Sequence, residues 1–305
     1  MASRVRPSPI NTMNTHIIPV RFEYFAPKTL NEAVDLLSRF RGRAKVLAGG
    51  TDLVVQMKVG RVRPEYVVSI RWLRELDFID TREDGLHIGA LTKLRRIEKS
   101  DVIRRGFIAL YEAAKAMGGV QVRCMGTVGG NLCNASPAAD TAPPLMVYEA
   151  RVKAVSTRGE REIPITKFFK GPGKSALEPD EILTEVMIPY QPANTGSAFL
   201  KVARTSMDLA KVNVAAAINV REGVVRWARI ALGAVAPTPI RALKAEAYLA
   251  GKELGEDVIA RAAEIAASET RPITDVRSTA WYRREVSKVL VKDALRIAYG
   301  RAVRG

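Results

Sequence analysis

Apolar residues recur every three or four positions through "TLNEAVDLLSRF". The spacing predicts a helix that buries Leu30, Val34, Leu37 and Phe40. Thr29 and Glu32 read as a capping box at its start, and Gly42 ends it. In "KVLAGGTDLVVQMK", Val46 to Ala48 form a short apolar strand, Gly49–Gly50 breaks it, and the apolar run resumes at Leu53. "EYVVSI" and "GLHIGA" read as strands. "VIRRGFIALYEAAKAM" reads as one helix with Val102, Phe107, Leu110, Ala114 and Met117 on its apolar face. "RVKAVSTRGEREIPI" has the alternation of a hairpin turning at Arg158–Gly159, and "EILTEVMIP" is a further strand. Beyond a linker from Tyr190 to Gly196 the pattern changes. Three strand-like segments, "SAFLKVAR", "NVAAAINV" and "VVRWARIALGAV", precede three helices, "IRALKAEAYLAG", "EDVIARAAEIAASE" and a long one from Thr279 to about Tyr299. Strands followed by helices, rather than alternating with them, predict an α+β arrangement.

One segment fits none of these patterns. "MGTVGGNLCNASPAAD", Met125 to Asp140, has few bulky apolar residues in a chain that is 47% hydrophobic. It shares a form with "LAGGTD", Leu47 to Asp52: a small-residue approach, Gly–Gly, then a polar side chain. Paired glycines permit positive φ and close ligand approach. Successive inward N–H groups make an anion-binding concavity. Thr51, Thr127 and Asn131 add side-chain donors, while Asp52 and Asp140 add acceptors for sugar hydroxyls. A single Gly–Gly is ordinarily a tight turn. Two such loops with these neighbours suit an extended ligand that carries pyrophosphate and a sugar chain. Neither loop has the G-x-G-x-x-G of a dinucleotide fold. "FFKGPGKS" is no P-loop, because Phe168 stands where the first glycine is needed and Pro172 removes a cradle N–H.

Composition narrows the classes. The 305 residues suffice for two domains. The N-terminal sixteen residues read as a polar tail with no secretory core, Met13 offers a second candidate start, and no apolar run approaches the ~18–20 residues of a membrane helix. Cys124 and Cys133 are too few for a disulfide framework, and with only His16 and His87 an internal metal or iron–sulfur centre is not expected. A reducing, cytoplasmic compartment fits. Cys124 and Cys133 read as structural, His87 as a solvent-face or satisfied strand histidine, and Trp72, Trp227 and Trp281 as packing or interface residues. The net charge of +16 raises nucleic acid as a partner, but the basic residues are dispersed and aromatic residues make up only 6%, against a stacking platform.

"LAGGTDLVVQMK" and "QVRCMGTVGGNLCNASPAADTAPPL" resemble the two FAD-binding segments of the medium, flavoprotein subunit of molybdenum hydroxylases, a group that includes xanthine dehydrogenase, aerobic carbon monoxide dehydrogenase and archaeal aldehyde or glyceraldehyde oxidoreductases. "GKSALEPDEILTEVMIP" and "FLKVARTSMDLAKVNVAAA" are similar to further family segments, so the resemblance covers nearly the whole chain. It implies a vanillyl-alcohol-oxidase-type FAD-binding domain over 17–190, in subdomains of about 17–70 and 71–190. A small C-terminal α+β domain with a three-stranded antiparallel sheet and helices would follow over 196–303. Carried over by position, the first FAD loop is Val46, Leu47, Ala48, Gly49, Gly50, Thr51, Asp52 and Leu53. The second is Thr127, Val128, Gly129, Gly130 and Asn131, with Asp140 beyond it, and Met117, Leu183 and Lys201 match flavin-lining positions.

The implied function is electron transfer through noncovalent FAD. Electrons would come from [2Fe–2S] clusters on a small partner subunit and originate at a molybdenum cofactor in a large one, in a dimer of heterotrimers. No side chain of this chain is implied as a catalytic acid or base. Carbon monoxide dehydrogenases usually read A-G-G-H-S-L where this chain has Ala48–Gly49–Gly50–Thr51–Asp52–Leu53, which points instead to an aldehyde or heterocycle. Two cysteines cannot supply the inserted cluster loop of benzoyl-CoA-reducing relatives. A self-sufficient flavin oxidase and a basic nucleic-acid-binding protein are the rival readings.

Overall fold

Three larger sheets with their helices, and one two-stranded hairpin, organise the described residues of the computed structural model, which are Arg4–Val5 and residues 18–304. The expected polar tail lies outside the described residues except for Arg4–Val5, whose backbone pairs antiparallel with Tyr24–Phe25. In this first sheet, Glu23–Phe25 and Ala44–Leu47 flank Tyr66–Ser69 in parallel. The helix Leu30–Arg39 packs Ala33, Val34 and Leu37 on it, and Thr29 Oγ1 accepts from Glu32 N as the cap requires. The Glu32 carboxylate reaches one residue further back than expected, to Lys28 N at 2.9 Å.

The second sheet is antiparallel, in the order Ile79–Arg82, Gly85–Gly89, Ile182–Pro189, Arg151–Ser156, Gly159–Pro164. The single helix expected over 102–117 is broken into Asp101–Gly106 and Ile108–Ala116. Phe107 leaves helical geometry (φ −139°, ψ 54°) to bury its ring edge-on against Tyr148. That burial contributes about 2–3 kcal/mol. It outweighs the roughly 1 kcal/mol of a lost helical hydrogen bond. Helical spacing cannot register such a break, because Phe107 satisfies the same stripe either way.

In the third sheet Thr195–Val202, Val212–Arg221 and Val224–Gly233 are the expected long strands, all antiparallel. A fourth, Ile240–Arg241, is added at the edge, pairing with Ala231 and Leu232, so the helix expected from Ile240 starts instead at Leu243. Both faces of the central strand are covered. Val212, Val214, Ala216 and Ile218 face the core shared with Glu256–Ser268 and Ala280–Ala302. Ala215 and Ala217, on the alternate face, join the core of the second sheet. This two-sided burial explains why "VNVAAAINV" carries almost no polar residue. Among the described residues no helix is long and apolar enough to cross a membrane.

Candidate functional site

A cavity of about 560 Å³ opens where the three sheets meet. The first sheet contributes Val46 at its strand end, then Ala48, Gly49, Gly50, Thr51, Asp52 and Leu53. The second contributes Thr127, Gly129, Gly130, Asn131, Asp140 and Leu183. Met117 closes one side, and Lys201 comes from the third sheet. Two expected residues do not reach it. Leu47 spends its carbonyl on Ile70 N, and Val128 is fully buried in the core of the second sheet.

Each glycine pair runs directly into a short helix, Leu53–Lys58 after the first and Val128–Cys133 within the second, where the composition had suggested open loops. In the first, Gly50 sits at φ +81°, a conformation that favours glycine. Gly49 is required by packing, since a Cβ there would lie 2.1 Å from the Met125 carbonyl oxygen. Among the described residues the amides of Gly49, Gly50, Thr51, Asp52 and Leu53 have no intrachain acceptor. Five consecutive donors without an intrachain acceptor, on a cavity wall at the start of a helix, form a surface suited to an acceptor-rich ligand.

The second pair differs from expectation. Val128 N donates to Thr92 O, Gly129 N to Ala90 O, Gly130 N to Thr127 Oγ1 and Asn131 N to Thr127 O. These amides are not available to a phosphate. Gly129 is glycine because Ala90 is there, 2.7 Å from where its Cβ would stand. What this segment presents to the cavity is side-chain chemistry. Asn131 Oδ1 accepts from Thr141 Oγ1 at 2.6 Å, which leaves its NH₂ to spend.

The carboxylates on the walls are all engaged. Asp52 accepts from Asn134 Nδ2, Glu181 from Arg161, and Asp208 from Arg204 and Leu209 N. Asp140 is buried, with Lys201 Nζ at 2.6 Å from Oδ2 and Asn213 Nδ2 at 2.7 Å from Oδ1. Burial pushes its pKa up from the ordinary carboxylate range, against the opposing pull of the Lys201 charge and of hydrogen bonds from Lys201 and Asn213. Cys133 lines the cavity too, its thiol pushed up to about 12 by burial, while Cys124 is exposed. His87 is elsewhere, buried in the second sheet between Glu185 and Asp84, so of its two readings the satisfied one holds. "FFKGPGKS" folds as a small hairpin, Phe169–Gly171 with Lys174–Ser175. Trp72 and Trp281 are exposed, and Trp227 stacks under the Arg229 guanidinium.

Sequence reasoning passed over two parts of the wall. The turn Gly118–Gly119, a third glycine pair, follows Met117 and is held by Arg123, whose Nη1 donates to the carbonyls of Met117 and Gly118. Burial works to raise the pKa of its partner Glu98, but hydrogen bonds and charge from Arg95 and Arg123 outweigh it and hold Glu98 below the ordinary carboxylate range. The strap Met207–Leu209 also lines the cavity, with Met207 against Gly119. The pair "GG" after Met117 is a signal that identifies the turn. No local pattern identifies the strap.

Residues 20–191 match the FAD binding domain in molybdopterin dehydrogenase, and residues 197–298 match the CO dehydrogenase flavoprotein C-terminal domain. The nicotinate dehydrogenase FAD-subunit of Eubacterium barkeri is 37% identical over 270 residues, 87% of this chain and 91% of that protein. The glyceraldehyde dehydrogenase medium chain of Sulfolobus acidocaldarius is 33% identical over 278 residues, 91% and 98% of the two chains. A solved structure of carbon monoxide dehydrogenase from Hydrogenophaga pseudoflava superposes with a TM-score of 0.91 at 36% identity, covering 93% of this chain and 99% of that one.

Proposed function

The chain belongs to the family of FAD-binding subunits of molybdopterin dehydrogenases, and from that premise we propose how its own residues serve an electron-transfer flavin. It is an oxidoreductase subunit that carries FAD on behalf of a molybdenum hydroxylase. The observation that carries the site assignment is the run of five unpaired amides from Gly49 to Leu53. Their chemistry fits a pyrophosphate, and the cavity that continues from them to Lys201 has room and polarity for the rest of an FAD molecule. FAD, when bound, supplies the capacity to take up electrons singly and pass them on. Gly49 to Leu53 would bind the phosphates. Asn131 would donate to the sugar chain. Met117 and Leu183 would exclude water from the ring, and the Lys201–Asp140 pair would set the local charge.

Every carboxylate on the walls is already engaged, which favours this reading over a self-sufficient flavin oxidase needing a free base beside its substrate. The nucleic-acid reading predicts a colourless protein and has no use for the cavity. We place the FAD-binding domain at 17–190 and the C-terminal domain at 196–303. The partners we infer are a small [2Fe–2S] subunit and a large molybdenum-cofactor subunit, in a cytoplasmic dimer of heterotrimers. Thr51–Asp52 supports an aldehyde or heterocycle as the substrate of the whole complex. The test is an absorption spectrum of the purified chain, with mass spectrometry of whatever heat releases. Bands near ~375 and ~450 nm with FAD in the supernatant are expected. A colourless chain that also fails to take up added FAD would overturn the assignment.

A further inference from the structure

Asn213 is out of place by every local criterion. It sits near the start of the strand Val212–Arg221, where its neighbours from Val212 to Ile218 are all alanine or aliphatic, and its side chain is fully buried. Its amide NH₂ donates to Asp140 Oδ1, yet its Oδ1 has no partner at all. Turning the amide over would set that oxygen against the Asp140 carboxylate, so the orientation is forced. The orphan oxygen lies against Gly233, its register partner on the next strand. A Cβ on residue 233 would stand 2.2 Å from it, so the glycine makes the room the asparagine needs. Burying an unpaired acceptor weakens a fold. Alanine or valine, which fill the neighbouring positions, would avoid that cost. The return for keeping Asn213 must therefore lie in the one bond it makes.

That bond ends on a carboxylate whose other oxygen holds Lys201. The Lys201 ammonium donates to Asp140 Oδ2 and to Ala116 O, which leaves one of its three N–H donors unspent on the cavity wall. Among the described residues Lys201 is the one charged partner of Asp140, and its other hydrogen-bond partner, Asn213, is neutral; the Ala116 carbonyl contacts Lys201, not Asp140. We propose that Asn213 is a positioning residue for the flavin: its donation to Asp140 keeps that carboxyl ionised beside Lys201 and so fixes the net charge of the pair at the cavity wall. Asn213 does not itself line the cavity and acts only through Asp140. The inference rests on the FAD assignment above.

The test uses the full chain loaded with FAD and two near-isosteric variants, Asn213→Val and Asn213→Thr. Both remove the orphan oxygen, and only threonine keeps a donor. FAD content is measured first, so that failure of the cofactor assignment shows itself separately, in the parent. Flavin midpoint potentials are then read from pH 5.5 to 8.5 by dye equilibration. In Asn213→Val the carboxyl takes a proton at higher pH. Below that pH the site carries one extra positive charge, so the midpoint rises and the inflection of its pH profile moves to higher pH. Asn213→Thr returns toward the parental profile. A merely structural role would lower the melting temperature of both variants and move neither profile. Superimposable Val and Thr profiles, or a Val profile equal to the parent's, would overturn the proposal.

Discussion

Gly49–Leu53 and Thr127–Asn131 each set a glycine pair beside a threonine on the wall of one cavity, yet their backbone amides end in opposite states. In the first segment five successive N–H groups find no acceptor among the described residues. In the second, four successive N–H groups are spent on Thr92, Ala90 and Thr127. The difference comes from what lies behind each. Thr127 is the N-cap of a short helix docked on the end of the Gly85–Gly89 strand, whose next residue, Ala90, is 2.7 Å from where a Gly129 Cβ would be. Gly49 instead packs on the Met125 carbonyl and lines the cavity, with no acceptor for its amide among the described residues. One glycine pair is a donor surface. The other is a brace that holds the opposite wall in place.

The largest effect is expected from Gly49→Val. Its Cβ would meet Met125 O at 2.1 Å, so the donor surface must lift off the Met125 carbonyl. FAD affinity should fall at least ~100-fold, about 2.7 kcal/mol, by equilibrium titration. Next is Glu98→Gln, which strips a buried guanidinium, Arg123, of its carboxylate and loosens the Met117–Gly118 turn. It should lower unfolding stability by roughly 2 kcal/mol in denaturant titration. The same pair sets a pH dependence. Because the folded-state pKa of Glu98 is held below its unfolded value, its contribution is complete above the ordinary carboxylate range and is lost as pH falls through the depressed value. In Glu98→Gln that part of the acid sensitivity should disappear.

Gly50→Ala forces alanine to φ +81°, which costs roughly 1–2 kcal/mol and should weaken FAD about tenfold. Thr127→Val removes the acceptor of Gly130 N. It should cost about 1 kcal/mol of stability yet leave FAD affinity within roughly threefold, because the brace offers no amide to phosphate. The smallest effect is chemical. At pH 8 the exposed Cys124 should alkylate quickly, while Cys133, its thiol at about 12, should react far more slowly.

How much of this was legible in the sequence depends on how local each cause is. The Thr29 cap, the hairpin turning at Arg158–Gly159 and the strand character of Val212–Arg221 follow from near neighbours, and they were readable. Both glycine pairs line the cavity, and small residues with hydroxyls beside them are a local signature. Whether an amide beside them is free is not local. It depends on Thr92 and Ala90, carbonyls brought in by the fold from more than thirty residues away. The same holds for Arg123 gripping the Met117 turn, for Phe107 leaving its helix to reach Tyr148, and for the strap at Met207. Buried Asn213 offered a weak signal, a polar residue within the apolar run Val212–Ile218, which acquires meaning only when Asp140 is seen beside it.

The central claim is that the donor surface at Gly49–Leu53, and not the second glycine pair, recognises the pyrophosphate. It is tested most directly by measuring the ratio of riboflavin to FAD dissociation constants in the parent chain, Gly49→Val and Thr127→Val. FAD has the pyrophosphate and riboflavin does not. A large ratio in the parent that collapses in Gly49→Val and survives in Thr127→Val is the predicted result. A parental ratio near one, or a collapse of equal size in Thr127→Val, would contradict it.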